Sequence, residues 1–159
     1  MNNIQNCESV SEVLETIGAN EDYSLRTIKD FTTYWGVFDG NDNSVAIVNK
    51  TYPLMQPAKA FGYVDSLREG LDMTFDKAGF TKQGRRLFLS LRKKNAFDID
   101  PKVGDTMDEV IYFWTSFDGS IQHVINKMLE RLVCTNGMVA MDNQSTIKVK
   151  HSSQMEDKL

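Results

Sequence analysis

The chain has 159 residues, 41% of them hydrophobic and 10% aromatic, with a formal net charge of −4. That length suits one domain, and that apolar content disfavours disorder and removes the need for a disulfide or metal staple. The acidic balance argues against indiscriminate polyanion binding, and two cysteines suit a reducing cytoplasm better than an export route.

The opening Met1-Asn2-Asn3-Ile4-Gln5-Asn6 is polar and reads as no targeting peptide. The longest apolar run, Val110 to Trp114, is too short to cross a bilayer, so no membrane is expected. A first helix is predicted from Ser9 or Ser11, each followed by Glu near the third helical position as in a capping box, and Val13, Leu14 and Ile17 form its stripe. Residues 1–30 are read as a helical lead-in. Phe31 to Phe38 and Ser44 to Val48 read as a hairpin around Asp39-Gly40-Asn41-Asp42-Asn43. That turn mimics a calcium loop, but Ser44 and Lys50 replace the glycine and closing glutamate such a loop requires. Pro57 can open a helix carrying Ala60, Phe61, Val64 and Leu67 and ending at Gly70.

Leu71, Met73 and Phe75 alternate with polar residues as in a half-buried strand, and so do Leu87, Leu89 and Leu91. Asn95 to Asp108 reads as a long loop, and Val110 to Thr115 as a central strand. Ile121, Val124, Ile125, Met128, Leu129 and Leu132 follow the spacing of an amphipathic helix, predicted from about Ser120 to Val133 and closed by Asn136-Gly137. Thr146 to Lys150 is expected to be a last strand. Ser153 and Glu156 mark the start of a C-terminal helix over 152–159, cut short by the end of the chain.

The segments Val48-Asn49-Lys50-Thr51-Tyr52, Gln56-Pro57-Ala58-Lys59-Ala60-Phe61, Gly84-Arg85-Arg86-Leu87-Phe88-Leu89, Trp114-Thr115-Ser116-Phe117-Asp118-Gly119-Ser120, Arg131-Leu132-Val133-Cys134-Thr135-Asn136-Gly137-Met138 and Ile147-Lys148-Val149-Lys150-His151 occur in this order. Taken together they resemble the phage/plasmid-like family of unknown function, domain of unknown function nine-three-two, over about residues 30 to 159. Phe117 stands where that family usually has a histidine. The resemblance implies an origin in mobile elements, hence a host-cell cytoplasm for a phage-encoded chain, and brings no agreed activity. The order of elements is also loosely similar to that of ring-forming single-strand annealing proteins, an analogy of architecture that does not fix function.

Lys82 to Lys94 contains six basic residues and no acid, whereas Asp98 to Glu109 holds five acids and one lysine. If the leucines of 87–91 face inward, Arg86, Phe88, Ser90, Arg92 and Lys94 share the other face. There cations meet phosphate and Phe88 stacks on a base; the plain alternative is a solvated or covered sheet face. Arg131 reads as a loop anchor or a phosphate contact, and Lys127 pairs with Glu130 on the predicted helix. Cys134 at a helix C-terminus lacks an activating group and reads as buried packing. Cys7, Cys134, His123 and His151 lack zinc spacing, and no phosphate-cradling glycine loop or Ser/His/Asp set is apparent.

The expectation is therefore a single α+β domain over 1–159, an antiparallel sheet with helices packed mainly on one face and 120–133 the central helix. Its expected function is non-catalytic binding of single-stranded nucleic acid in mobile-element recombination or replication. Arg85, Arg86, Arg92, Lys93 and Lys94 contact phosphate in that reading, Phe88 stacks, Lys127 and Arg131 extend the path, and copies of the chain associate, with no cofactor or metal. The main rival is a protein-interaction module that inhibits or diverts a host defence or replication protein through its acidic segment 98–109. A metal-dependent nuclease comes third.

Overall fold

The structure, a computed structural model, describes residues 4–100, 105–132 and 139–149. Its elements in order are α1 (Val10–Thr16), β1 (Ser24–Thr27), β2 (Tyr34–Phe38), β3 (Ser44–Asn49), α2 (Pro57–Phe61), α3 (Val64–Leu71), β4 (Thr74–Thr81), β5 (Arg86–Asp100), β6 (Asp105–Ser116), β7 (His123–Leu132) and β8 (Val139–Val149). The strands make two antiparallel sheets, β1-β2-β3 and β4-β5-β6-β7-β8, each in sequential order. The chain is mostly antiparallel sheet with short helices.

Local chemistry explains the early elements. Ser9 caps α1, its Oγ accepting from Glu12 N–H, while Glu12 Oε2 accepts from Glu8 N–H. Asp39 holds the β2–β3 turn by accepting from the backbone N–H groups of Asn41 and Asn43 through one carboxylate oxygen. Pro57 opens α2 as expected, but the helix stops at Phe61. A second helix, α3, continues to Leu71 and closes on Asp72 in the left-handed region at φ 52°. The predicted lead-in over 1–30 also contains a strand, β1, which pairs with β2.

Two larger expectations are corrected. Residues predicted as the central helix form β7, a strand held between β6 and β8. Val124, Ile125, Met128 and Leu129 are half-buried and lie on both faces of β7, and such adjacent apolar pairs imitate helical spacing. β-branched Val124 and Ile125 fit a pleated surface well. The predicted loop over 95–108 is, in its described residues, an extension of β5 and β6 pairing Phe97 with Met107 and Asp98 with Thr106. This arm runs beyond the last β4 partner, Arg92↔Thr74, and beyond the last β7 partner, Asp108↔Glu130. Cys134, Asn136-Gly137, Lys150, His151 and the predicted C-terminal helix lie outside the described residues.

One hydrophobic cluster joins Val13 and Leu14 of α1, Val37, Ala46 and Val48 of the small sheet, Phe61 and Val64 of the helices, and Phe75, Leu87, Leu89, Leu91 and Phe113 of the large sheet. This inner face of the large sheet is thus backed by both helices and strands. Phe117 is fully buried and stacks on Tyr23 with ring centroids 3.9 Å apart. Its role is packing.

Candidate nucleic-acid interface

The period of two along β5 separates the candidate residues. Leu87, Leu89 and Leu91 are buried in the core, so Arg86, Phe88, Ser90 and Arg92 point to the outer face, and Lys94 follows in the same alternation. Register carries this face across the sheet: Phe88 opposes Trp114, Trp114 opposes Val124, and Val124 opposes Lys148. The hydrogen bonds, ion pairs and ring contacts of Arg86, Phe88, Ser90, Arg92, Tyr112 and Trp114 run within this sheet or to Ser120.

At one end of the outer face, the half-buried rings of Phe88 and Trp114 stack with centroids 5.0 Å apart and planes inclined by 29°. Arg86 lies one rung beyond, its Nε donating to Ser120 Oγ at 3.0 Å. That serine is placed by the Asp-Gly-Ser turn. Asp118 Oδ1 accepts from Ser120 N–H at 2.8 Å, and Gly119 adopts φ 70° beneath the Tyr52 ring, where a Cβ would come within 3.1 Å of the ring. Tyr52 Oη donates to Ser116 O, and Ser116 Oγ donates to Ile121 O. The turn therefore fixes Arg86 and the entry into β7. Exposed Lys148 adds a second cation at this end.

The other end of the same face is acidic. Arg92 meets Asp76 at 3.1 Å, Asp108 at 2.9 Å and Glu130 at 2.6 Å, with its side chain only 14% exposed. Burial alone lowers the guanidinium pKa, but the three carboxylates outweigh that and raise it above its usual value. Tyr112 donates to Glu130 Oε1, and its phenol is pushed up to about 12, first by burial and then by the Glu130 charge. Arg92 is committed to these acids and offers no free charge to phosphate, a correction to its expected role.

Three other expected contacts lie elsewhere. Lys93 alternates onto the inner side, where Nζ donates to Leu71 O at 3.1 Å. Lys127, opposite Ile111, also faces the inner side and pairs with Glu109 at 2.7 Å rather than with Glu130. Arg131 is exposed on β7 opposite Ala140, again with inner-side alternation. Arg85 is exposed but turns away from the aromatic pair, to line a groove beside β3. The structure brings together Arg86 and Phe88 and adds Trp114 and Lys148, which sequence reasoning missed. Pairing parity would have found them, had β6 and β8 been aligned on β5.

His123 is fully buried at the start of β7, its Nε2 2.7 Å from Tyr63 Oη. Burial raises the Tyr63 pKa well above its ordinary value. Among the described residues no three His, Cys, Asp or Glu side chains are arranged to hold a metal ion, and no helix is long and apolar enough to cross a membrane.

A family profile described as Domain of unknown function (DUF932) matches residues 44–159. The chain belongs to this family. No curated protein and no solved structure gives a significant match. In this chain the Asp-Gly-Ser block is the turn that positions Arg86.

Proposed function

We propose that this DUF932 chain binds single-stranded nucleic acid without catalysis, on the outer face of its five-stranded sheet. The stacked Phe88–Trp114 pair between Arg86 and Lys148 carries the reading. The outward surface of this half-buried pair offers a ring face on which a base of any identity stacks, and flanking cations pair with the phosphates on either side. The path is shorter than the sequence suggests, because Arg92, Lys93 and Lys127 are engaged by local partners. The acid cluster around Arg92 limits the strand to the aromatic end, since phosphate is repelled there.

The test is fluorescence anisotropy of a labelled oligothymidine across a salt series. Phe88→Ala and Trp114→Ala should each weaken binding by about 1–3 kcal/mol. Arg86→Ala and Lys148→Ala should each reduce the salt slope by roughly 0.7. Failure of any single-stranded oligonucleotide to give a salt-dependent signal sinks the proposal.

A second reading, a protein-interaction module, is favoured by the arm, where Phe97 and Ile99 are 47% and 43% exposed beside exposed Asp98. Such a module leaves oligonucleotides unbound in the same titration.

A further inference from the structure

We propose that the arm of one copy of this chain docks along the open edge of β3 in a second copy, joining molecules head to tail. This inference is independent of the nucleic-acid reading.

The receiving surface begins with an unpaired strand edge. β3 ends its sheet, and Lys50 N–H bonds Thr33 O, so the antiparallel alternation directs the backbone groups of Val48 and Ala46 toward β2. Those of Ile47 point outward by the same alternation, while the register shift at Val37/Phe38 leaves Val45 at a bulge. Beside this edge lies a groove of about 450 Å³ lined by Val45, Ile47, Arg85 and Asp118. Ile47 is 65% exposed. Arg85 and Asp118 place one charge of each sign in the groove; Asp118 also accepts from Ser120 N–H, and Arg85 donates to Gln83 over a long 3.4 Å.

The arm offers the complement. From Lys93 onward β5 has no β4 partner, which leaves a second open edge. Phe97 and Ile99 present apolar side chains, and exposed Asp98 lies between them in sequence. Pairing the two edges satisfies backbone groups on both, covers three exposed apolar residues, and sets Asp98 against Arg85. The arm cannot reach its own groove. The stretch of β5 from Arg86 to Lys94, before the bend at Asn95, already spans roughly 26 Å at ~3.3 Å per residue, and the arm leaves from its far end. The occupant must therefore be another molecule, and because groove and arm are different surfaces the contact is heterologous.

The experiment is sedimentation velocity of the full chain, free of nucleic acid, over a concentration series. The wild type should associate beyond a dimer. Ile47→Lys and Phe97→Asp, both at exposed positions and checked for native circular dichroism, should each shift the association midpoint by at least about tenfold. Mixing the two variants should give a dimer and nothing larger, since one intact arm and one intact groove remain. Arg85→Glu and Asp98→Arg should each weaken association and the combined variant restore it. A wild type that stays monomeric overturns the proposal and leaves the β3 edge to a foreign strand. Undiminished association of both Ile47→Lys and Phe97→Asp, or a mixture that stays monomeric, overturns it equally.

Discussion

At the scale of single residues, Arg92 shows how far a side chain's role depends on partners distant in sequence. Its acids Asp108 and Glu130 lie 16 and 38 residues away, beyond any local pattern, so the sequence displays a cation and hides its neutralisation. Arg92→Ala should leave three carboxylates facing one another in a largely buried setting and cost about 3–5 kcal/mol in urea denaturation. Arg92→Lys should recover little of this, because a single ammonium cannot replace a planar fork serving three acceptors. The tyrosines give a pH signature. Burial first, then the Glu130 charge, lifts Tyr112 to about 12; burial likewise lifts Tyr52 to about 12. Their folded pKa lies above the ordinary 10, so their contribution is complete below pH 10 and drains away as pH rises towards 12. Urea midpoints measured at pH 9 and pH 11 should fall on the alkaline side, with phenolate absorbance rising together with unfolding.

At the scale of elements, the alternation of Leu87, Leu89 and Leu91 was legible because a half-buried strand writes its two faces directly into the chain. The segment 121–132 was not, since apolar residues on both faces reproduce helical spacing and the partners that decide the matter are β6 and β8. An isolated peptide of residues 120–133 should accordingly show helical circular dichroism in trifluoroethanol, while the intact protein shows strand protection in hydrogen exchange there. If the peptide prefers strand by itself, tertiary pairing is not what overrides the pattern. The candidate site was half legible: Arg86 and Phe88 follow from alternation, whereas Trp114 and Lys148 require the register. Asp72 is left-handed at the end of α3; Asp72→Gly removes the Cβ crowding of that conformation but adds unfolded-state freedom, so stability in urea denaturation should change by less than about 1 kcal/mol.

At the scale of the whole molecule, one core spans the helices and both sheets, with Phe61 fully buried in it. Phe61→Ala should cost roughly 3–5 kcal/mol, and tryptophan fluorescence from Trp35 in β2 and Trp114 in β6 should lose native signal in one transition. Separate transitions would mean that the small sheet folds apart from the large one. The overall charge of −4 conceals a division along the strands, with cations gathered near the start of β5 and acids towards its arm.

The base of that arm joins two quantities. Asn95 bends β5 with φ 53°, its backbone N–H donating to one oxygen of Asp108 while the other oxygen holds Arg92. One carboxyl group thereby serves as both counter-ion and hinge pin. Drawing Asp108 off the guanidinium would therefore also free the amide at the bend, so the ion pair and the direction of the projection rest on a single side chain.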